Sequence, residues 1–99
     1  MKTGIELIAE ERQRQIDQEG FSANADAGFT IGELAMAGAS YALPYHARLY
    51  KAGGVPHVWP FSAQMWKPTP GDRRRELAKA GALIAAEIDR LNAMEDSGR

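Results

Sequence analysis

Ninety-nine residues make one domain, and a chain this short buries only a modest core, so a helical protein of this length often completes its core with a second copy. Twelve Lys and Arg against 13 Asp and Glu leave a formal charge of -1, which excludes a bulk electrostatic pull toward DNA, RNA or an anionic membrane; any nucleotide must be recognised locally. No cysteine is present, His46 and His57 have no partner at metal-ligand spacing, and no apolar run approaches the roughly 18 residues a membrane span needs. Glu6, Glu10 and Glu11 interrupt the N-terminus before the apolar stretch of a signal peptide can form, so the expectation is a cytoplasmic protein.

Thr3-Gly4-Ile5-Glu6 matches a capping box and starts a first helix over 3–19, in which Ile5, Ile8, Ala9 or Arg12, and Ile16 share one stripe and Gly20 stops the run. Residues 21–29 have no period and read as a loop anchored by Phe21 and Phe29. Thr30-Ile31-Gly32-Glu33 repeats the capping-box pattern and opens a second helix over 30–43, whose stripe of Ile31, Leu34, Ala35, Gly38, Tyr41 and Ala42 is dominated by small side chains. Pro44 ends or kinks it, and Tyr45 to Lys51 can resume as a short helical turn.

Gly53, Gly54, Pro56, Pro60 and Pro68 then forbid a long helix or a central strand, yet this irregular segment carries His57, Trp59, Phe61, Met65 and Trp66. That much aromatic area must be buried against the helices, a partner or a ligand. Thr69, Pro70 and Asp72 fit the start of a third helix over 69–94. Its packing stripe is expected to be Leu77, Gly81, Ile84, Ile88 and Leu91, with Glu76, Lys79, Glu87 and Arg90 on the polar side. Alanine and glycine in helices two and three allow their backbones to approach closely, so these two helices should touch. The fold class is all-α, and the polar tail from Asn92 frays.

Three constellations can carry chemistry. Acids on facing helices, Glu11, Glu33, Glu76 and Glu87 among them, can converge on magnesium, which takes oxygen ligands and bridges phosphates. The bland alternative is solvated pairing at helical spacing: Glu10 with Arg14, Glu11 with Arg14 or Gln15, Glu76 with Lys79, Glu87 with Arg90. Arg73, Arg74 and Arg75 sit in a helix first turn, where cations oppose the dipole, so with Lys67 they read as a phosphate site or as partners for acids elsewhere. Trp59 and Trp66, with Tyr41 and Tyr45, can stack on a base, or simply pack. Phosphate-loop, dinucleotide-binding and hydrolase-elbow motifs are missing.

The segments IAEERQRQIDQEGF, GELAMAGASYALP, WPF followed by MWKPTPGDRR, and RELAKAGALIAAEIDRL together resemble a family of short proteins encoded by phages and prophages. Its architecture is similar to MazG-like all-α NTP pyrophosphatases, whose helices present acids to magnesium and cleave a nucleoside triphosphate between its α and β phosphates. The resemblance implies a MazG-like bundle completed by homo-oligomerisation, in the cytoplasm of the host cell. It implies Glu11, Glu33, Glu76 and Glu87 as catalytic metal ligands for magnesium. It also implies a nucleotide site drawn from Arg12, Tyr41, Trp59, Trp66, Lys67, Arg74, Arg75 and Lys79. Against the MazG pattern, Arg14 and Met36 stand where two further acids are expected. A non-catalytic protein that sequesters a nucleotide or a cyclic-nucleotide immune signal, and a helical module that binds a host protein, are the alternatives.

Overall fold

The computed structural model describes residues 1–19 and 32–97. It is mostly helical: α1 spans Gly4–Glu19, α2 Glu33–Ala42 and α3 Arg73–Ser97. Between α2 and α3 run a 3-10 turn at Tyr45–Ala47, a two-residue hairpin of β1 (Tyr50–Lys51) and β2 (Val55–Pro56), and a second 3-10 turn at Ala63–Met65. The strands pair antiparallel, Tyr50 opposite Pro56 and Lys51 opposite Val55. Gly53 and Gly54 turn the hairpin at φ 95° and 75°, a left-handed conformation that glycine adopts without the steric cost of a Cβ. None of the described helices is long and apolar enough to cross a membrane.

Local chemistry sets the helix ends. Thr3 and Glu6 form the reciprocal capping box: the Thr3 amide donates to Glu6 Oε1 at 2.9 Å and the Glu6 amide to Thr3 Oγ1 at 3.2 Å. The Thr3 backbone and side-chain hydrogen bonds hold the Glu6 carboxyl below its ordinary range. The Thr30 end of the second expected box lies outside the described residues; α2 itself begins after Gly32, at φ 85°. The third helix starts four residues later than expected, at Arg73. Residues 69–72 form a turn, closed by the Asp72 amide on the Thr69 carbonyl at 2.8 Å, and Asp72 Oδ1 accepts the Arg75 amide at 3.1 Å, making Asp72 the cap. Thr69 is drawn out of that role because its own amide donates to Glu76 at 2.9 Å.

The helix α3 is sandwiched between the other two. On one side it runs antiparallel to α2: a Cβ on Gly38 would lie 3.2 Å from both the Ala80 carbonyl oxygen and Ile84 Cγ1, and the Arg73 guanidinium reaches the carbonyls of Tyr41, Ala42 and Leu43. Arg73 thereby satisfies carbonyls that the last turn of α2 leaves without intrahelical donors. On the other side a Cβ on Gly81 would come within 2.6 Å of Ile8 on α1, and Arg12 ties α1 to Asp89 with contacts of 3.1 and 3.3 Å. The small residues of α2 and α3 do bring those helices together, as expected.

The expected packing stripe of α3 is not the buried one. Leu77, Ile84, Ile88 and Leu91 are 46–54% exposed, whereas Ala78, Ala80, Ala82, Leu83 and Ala86 are buried. Because α1 and α2 grip α3 from two flanks, small side chains line both seams and the bulky ones form a ridge between them. Glu76, Lys79 and Arg90, assigned to the polar side, are buried as well, since each finds a polar partner. The aromatic residues of the irregular segment close the core: Trp66 stacks on Tyr41 at 4.6 Å between centroids, and Trp59 meets Tyr41, Phe61 and Trp66 edge-on at 5.1–5.7 Å. Such pairs contribute about 0.5–1.5 kcal/mol each beyond their area.

Candidate functional site

Two arrangements around the first turns of α3 concern the candidate residues, and they differ in kind. The first is a buried ion network. Glu76 and Arg48, both with fully buried side chains, pair at 3.0 Å; Glu76 also accepts from Arg73 at 3.2 Å, from the Tyr45 hydroxyl at 3.3 Å and from the Thr69 amide. Arg48 donates further to the carbonyls of Ser40 and Tyr41 at 3.0 Å, and its guanidinium lies over the rings of Tyr45 and Trp66 at 4.6 and 5.3 Å. Burial alone would raise the Glu76 carboxyl, but the Arg48 hydrogen bond and charge, the Thr69 amide and Arg73 outweigh it and hold the group below the usual carboxylate range. Burial likewise opposes the charge on Arg48, yet its bond to Glu76 keeps it protonated. This network joins α2, the 45–48 turn and the start of α3, and both carboxylate oxygens of Glu76 are occupied.

The second is a cleft of about 360 Å³ opening between α1, α3 and the 59–67 segment. Tyr41, Trp59, Phe61, Met65 and Leu83 supply apolar wall, and Arg14, Lys67, Arg75 and Lys79 supply cations. Among the described residues no carboxylate lines it. Arg14 is matched by Glu11 at 2.5 Å, and Lys79 donates to the Lys67 carbonyl at 2.7 Å while lying 5.5 Å from the Tyr41 ring centre. The side chains of Lys67 and Arg75 have no ion-pair partner among the described residues. Gln15 reaches the cleft from α1; it is 3% exposed, and its Oε1 has no hydrogen-bond donor among the described residues. An orphaned buried acceptor carries a penalty of about 1–3 kcal/mol, which a ligand N–H can relieve.

Of the expected nucleotide-contacting residues, Tyr41, Trp59, Lys67, Arg75 and Lys79 therefore converge on one cleft. The other three lie elsewhere. Arg12 is committed to Asp89, because burial on the α1–α3 seam demands a carboxylate partner. Trp66 stands behind Tyr41 rather than in the cleft, held by stacking. Arg74 lines a neighbouring, more open groove of about 550 Å³ with Lys2, Glu10, Glu11 and Asp72. Arg14 and Arg75 border both depressions.

The expected metal ligands do not gather. Glu11 sits with Arg14, Glu76 is enclosed by Arg48 and Arg73, Glu87 pairs with Arg90 at 2.6 Å, and Glu33 in the first turn of α2 lines neither cleft. Among the described residues no group of three Asp, Glu, His or Cys side chains is placed to hold a metal ion. Magnesium needs several oxygen ligands at once, so the described donor set does not fit it. The expected pairing of Glu76 with Lys79 is replaced by the Arg48 network, and that of Glu10 with Arg14 by Lys2–Glu10 at 2.6 Å; the Glu87–Arg90 pair forms as expected.

Residues that spacing alone did not single out complete the picture. Arg48 lies in a stretch without period and only the tertiary fold reveals its partners. Gln15 had a legible signal: it stands one turn after Glu11 and one before Glu19, a polar side chain in line with the apolar Ile8. Compared with known proteins, the chain matches no family model, no curated protein and no solved structure.

Proposed function

We propose that the cleft between α1, α3 and the 59–67 segment binds a nucleotide and holds it without cleaving it, in a protein that acts as a homo-oligomer. The observation that carries this reading is the lining itself, which among the described residues holds four cations, an aromatic wall and no carboxylate. Phosphates would sit against Lys67 and Arg75, whose charges are not matched within the described residues, with Arg75 offering a two-pronged contact. The base would rest against the wall of partly buried Phe61 with Trp59 and Tyr41 behind it, and donate an amino or ring N–H to Gln15 Oε1. A volume near 360 Å³ is at the lower end of small-molecule sites, which suits one nucleotide better than an oligonucleotide.

Magnesium-dependent pyrophosphate release, which the resemblance to MazG-like pyrophosphatases implies, is the reading this one displaces. It is disfavoured because Glu11 and Glu76, two of its expected metal ligands, are already bonded to arginines. Thermal-shift and tryptophan-fluorescence titrations with nucleoside triphosphates and cyclic nucleotides, with and without magnesium, separate the two. Ligand at a hundred times its Kd raises stability by about 2.7 kcal/mol. Binding that needs no magnesium, quenches Trp59 and weakens about tenfold or more in the Lys67→Ala/Arg75→Ala double variant supports the proposal. Pyrophosphate release with magnesium, or no shift with any nucleotide, overturns it.

A further inference from the structure

The ridge of α3 left bare by its neighbours has a register that fits a second copy of the same helix. Leu77, Ile84 and Leu91 recur every seven residues, with Ile88 beside them, and all four are about half exposed. A seven-residue apolar repeat keeps one face of a helix turned toward a partner helix. Four such side chains with the exposed Ala35 and Ala42, which share the α2 stripe of Gly38 beside Ile84, present on the order of 500 Å² of apolar surface, near the upper limit for a monomer. The ridge runs from Leu77 to Leu91, about 21 Å at the helical rise, long enough to form the apolar centre of a standard interface.

Charge decides how a second copy would lie. Arg74 flanks the ridge at its N-terminal end, exposed and without an ion-pair partner among the described residues, while Glu95, in line with Leu77 and Ile84, ends the ridge at its C-terminal end. Parallel pairing would set Arg74 against Arg74 and Glu95 against Glu95. Antiparallel pairing about a two-fold axis at Ile84 sets Leu77 on Leu91 and Ile84 on Ile84, and brings Arg74 to within one residue of the position opposite Glu95 at both ends, with the helix dipoles also opposed. We infer that this protein forms a two-fold dimer through antiparallel packing of α3 along Leu77, Ile84, Ile88 and Leu91. The interface lies on a different surface from the nucleotide cleft, so the dimer and the ligand reading stand or fall separately.

Sedimentation and light scattering across a concentration series should give twice the 10.8 kDa chain mass, and Ile84→Glu should reduce it to one chain with its helical circular dichroism retained. Because the chain contains no cysteine, single substitutions report the register cleanly. With a short bismaleimide, Ile84→Cys crosslinks to itself, Leu77→Cys alone does not, and a mixture of Leu77→Cys with Leu91→Cys does. Arg74→Glu should weaken association about tenfold, and adding Glu95→Arg should restore it. A monomer at every concentration, a dimer indifferent to Ile84→Glu, or efficient self-crosslinking of Leu77→Cys would overturn the inference.

Discussion

Replacing Glu76 by Gln removes one negative charge from a place where no water can compensate. The Arg48 guanidinium that it faces at 3.0 Å is fully buried, and the glutamine amide would turn N–H donors toward a group that has only donors. Losing one partner of a buried ion pair costs about 3–5 kcal/mol, a large part of the roughly 5–15 kcal/mol that stabilises a domain of this size. Arg73 adds little to that figure, because its side chain is 37% exposed and can rehydrate. The Thr69 amide and Tyr45 hydroxyl still find an acceptor in the glutamine oxygen, so the loss should come from charge rather than from the whole network. Urea unfolding at pH 7 should therefore show Glu76→Gln less stable by about 3–5 kcal/mol at an unchanged slope.

Acid supplies the control. The folded carboxyl is held below its ordinary range, so its contribution is full above the unfolded value, near pH 4.3, and disappears as pH falls through the lower folded value. The variant has no such proton to take up at this position, and the gap between the two proteins should narrow as the wild type is acidified. A difference under about 1 kcal/mol at neutral pH, or a gap that persists unchanged into strong acid, would refute the claim that a charged Glu76 holds the start of α3 against the 45–48 turn.

Gly81→Ala tests the α1–α3 seam: alanine is favoured over glycine within a helix by about 1 kcal/mol, but a Cβ 2.6–3.3 Å from three Ile8 atoms forces repacking that costs about 1–3 kcal/mol. Chemical denaturation should find the variant no more stable than wild type, with Ile8→Ala recovering the propensity gain when combined with it. Tyr41→Phe keeps the stacking with Trp66 but leaves the Lys67 amide, 3.0 Å from the hydroxyl, without its acceptor; a loss of about 1–2 kcal/mol and weaker nucleotide binding through a displaced Lys67 are expected in melting and titration. Gln15→Leu removes the orphaned acceptor, so the free protein should be as stable as wild type or more so, while affinity for a base-bearing ligand falls and affinity for inorganic phosphate does not.

Much of the fold was legible in the chain because it depends on local chemistry. The capping box at Thr3, the stop at Pro44, the lack of a long helix across the Gly- and Pro-rich 52–68 segment and the close approach permitted by alanine and glycine are properties of neighbouring residues, and each appears where the amino acids call for it. The clustering of Tyr41, Trp59, Lys67, Arg75 and Lys79 was readable only in part: residue type marks them as capable of binding a base or a phosphate, but nothing local tells that Arg12 is spent on Asp89 or that Trp66 lies behind Tyr41.

Periodicity identified an amphipathic α3 and named the wrong face as the packed one. A helical stripe records which side chains are apolar, whereas burial depends on how many neighbours a helix has and from which directions they come. With α1 and α2 pressing on two flanks, alanines fill the seams, the Leu77–Leu91 ridge is left between them, and Glu76 is carried into the core because Arg48, from a stretch without period, arrives to neutralise it. The sequence by itself determined that α1 begins at the Thr3 capping box, that α2 stops before Pro44 and which helices can lie close together, whereas the start of α3 moved to Arg73 because Thr69 is bound to Glu76. Only the tertiary structure decided which charges are consumed in holding the fold and which are left facing a cleft, since that depends on partners far apart along the chain.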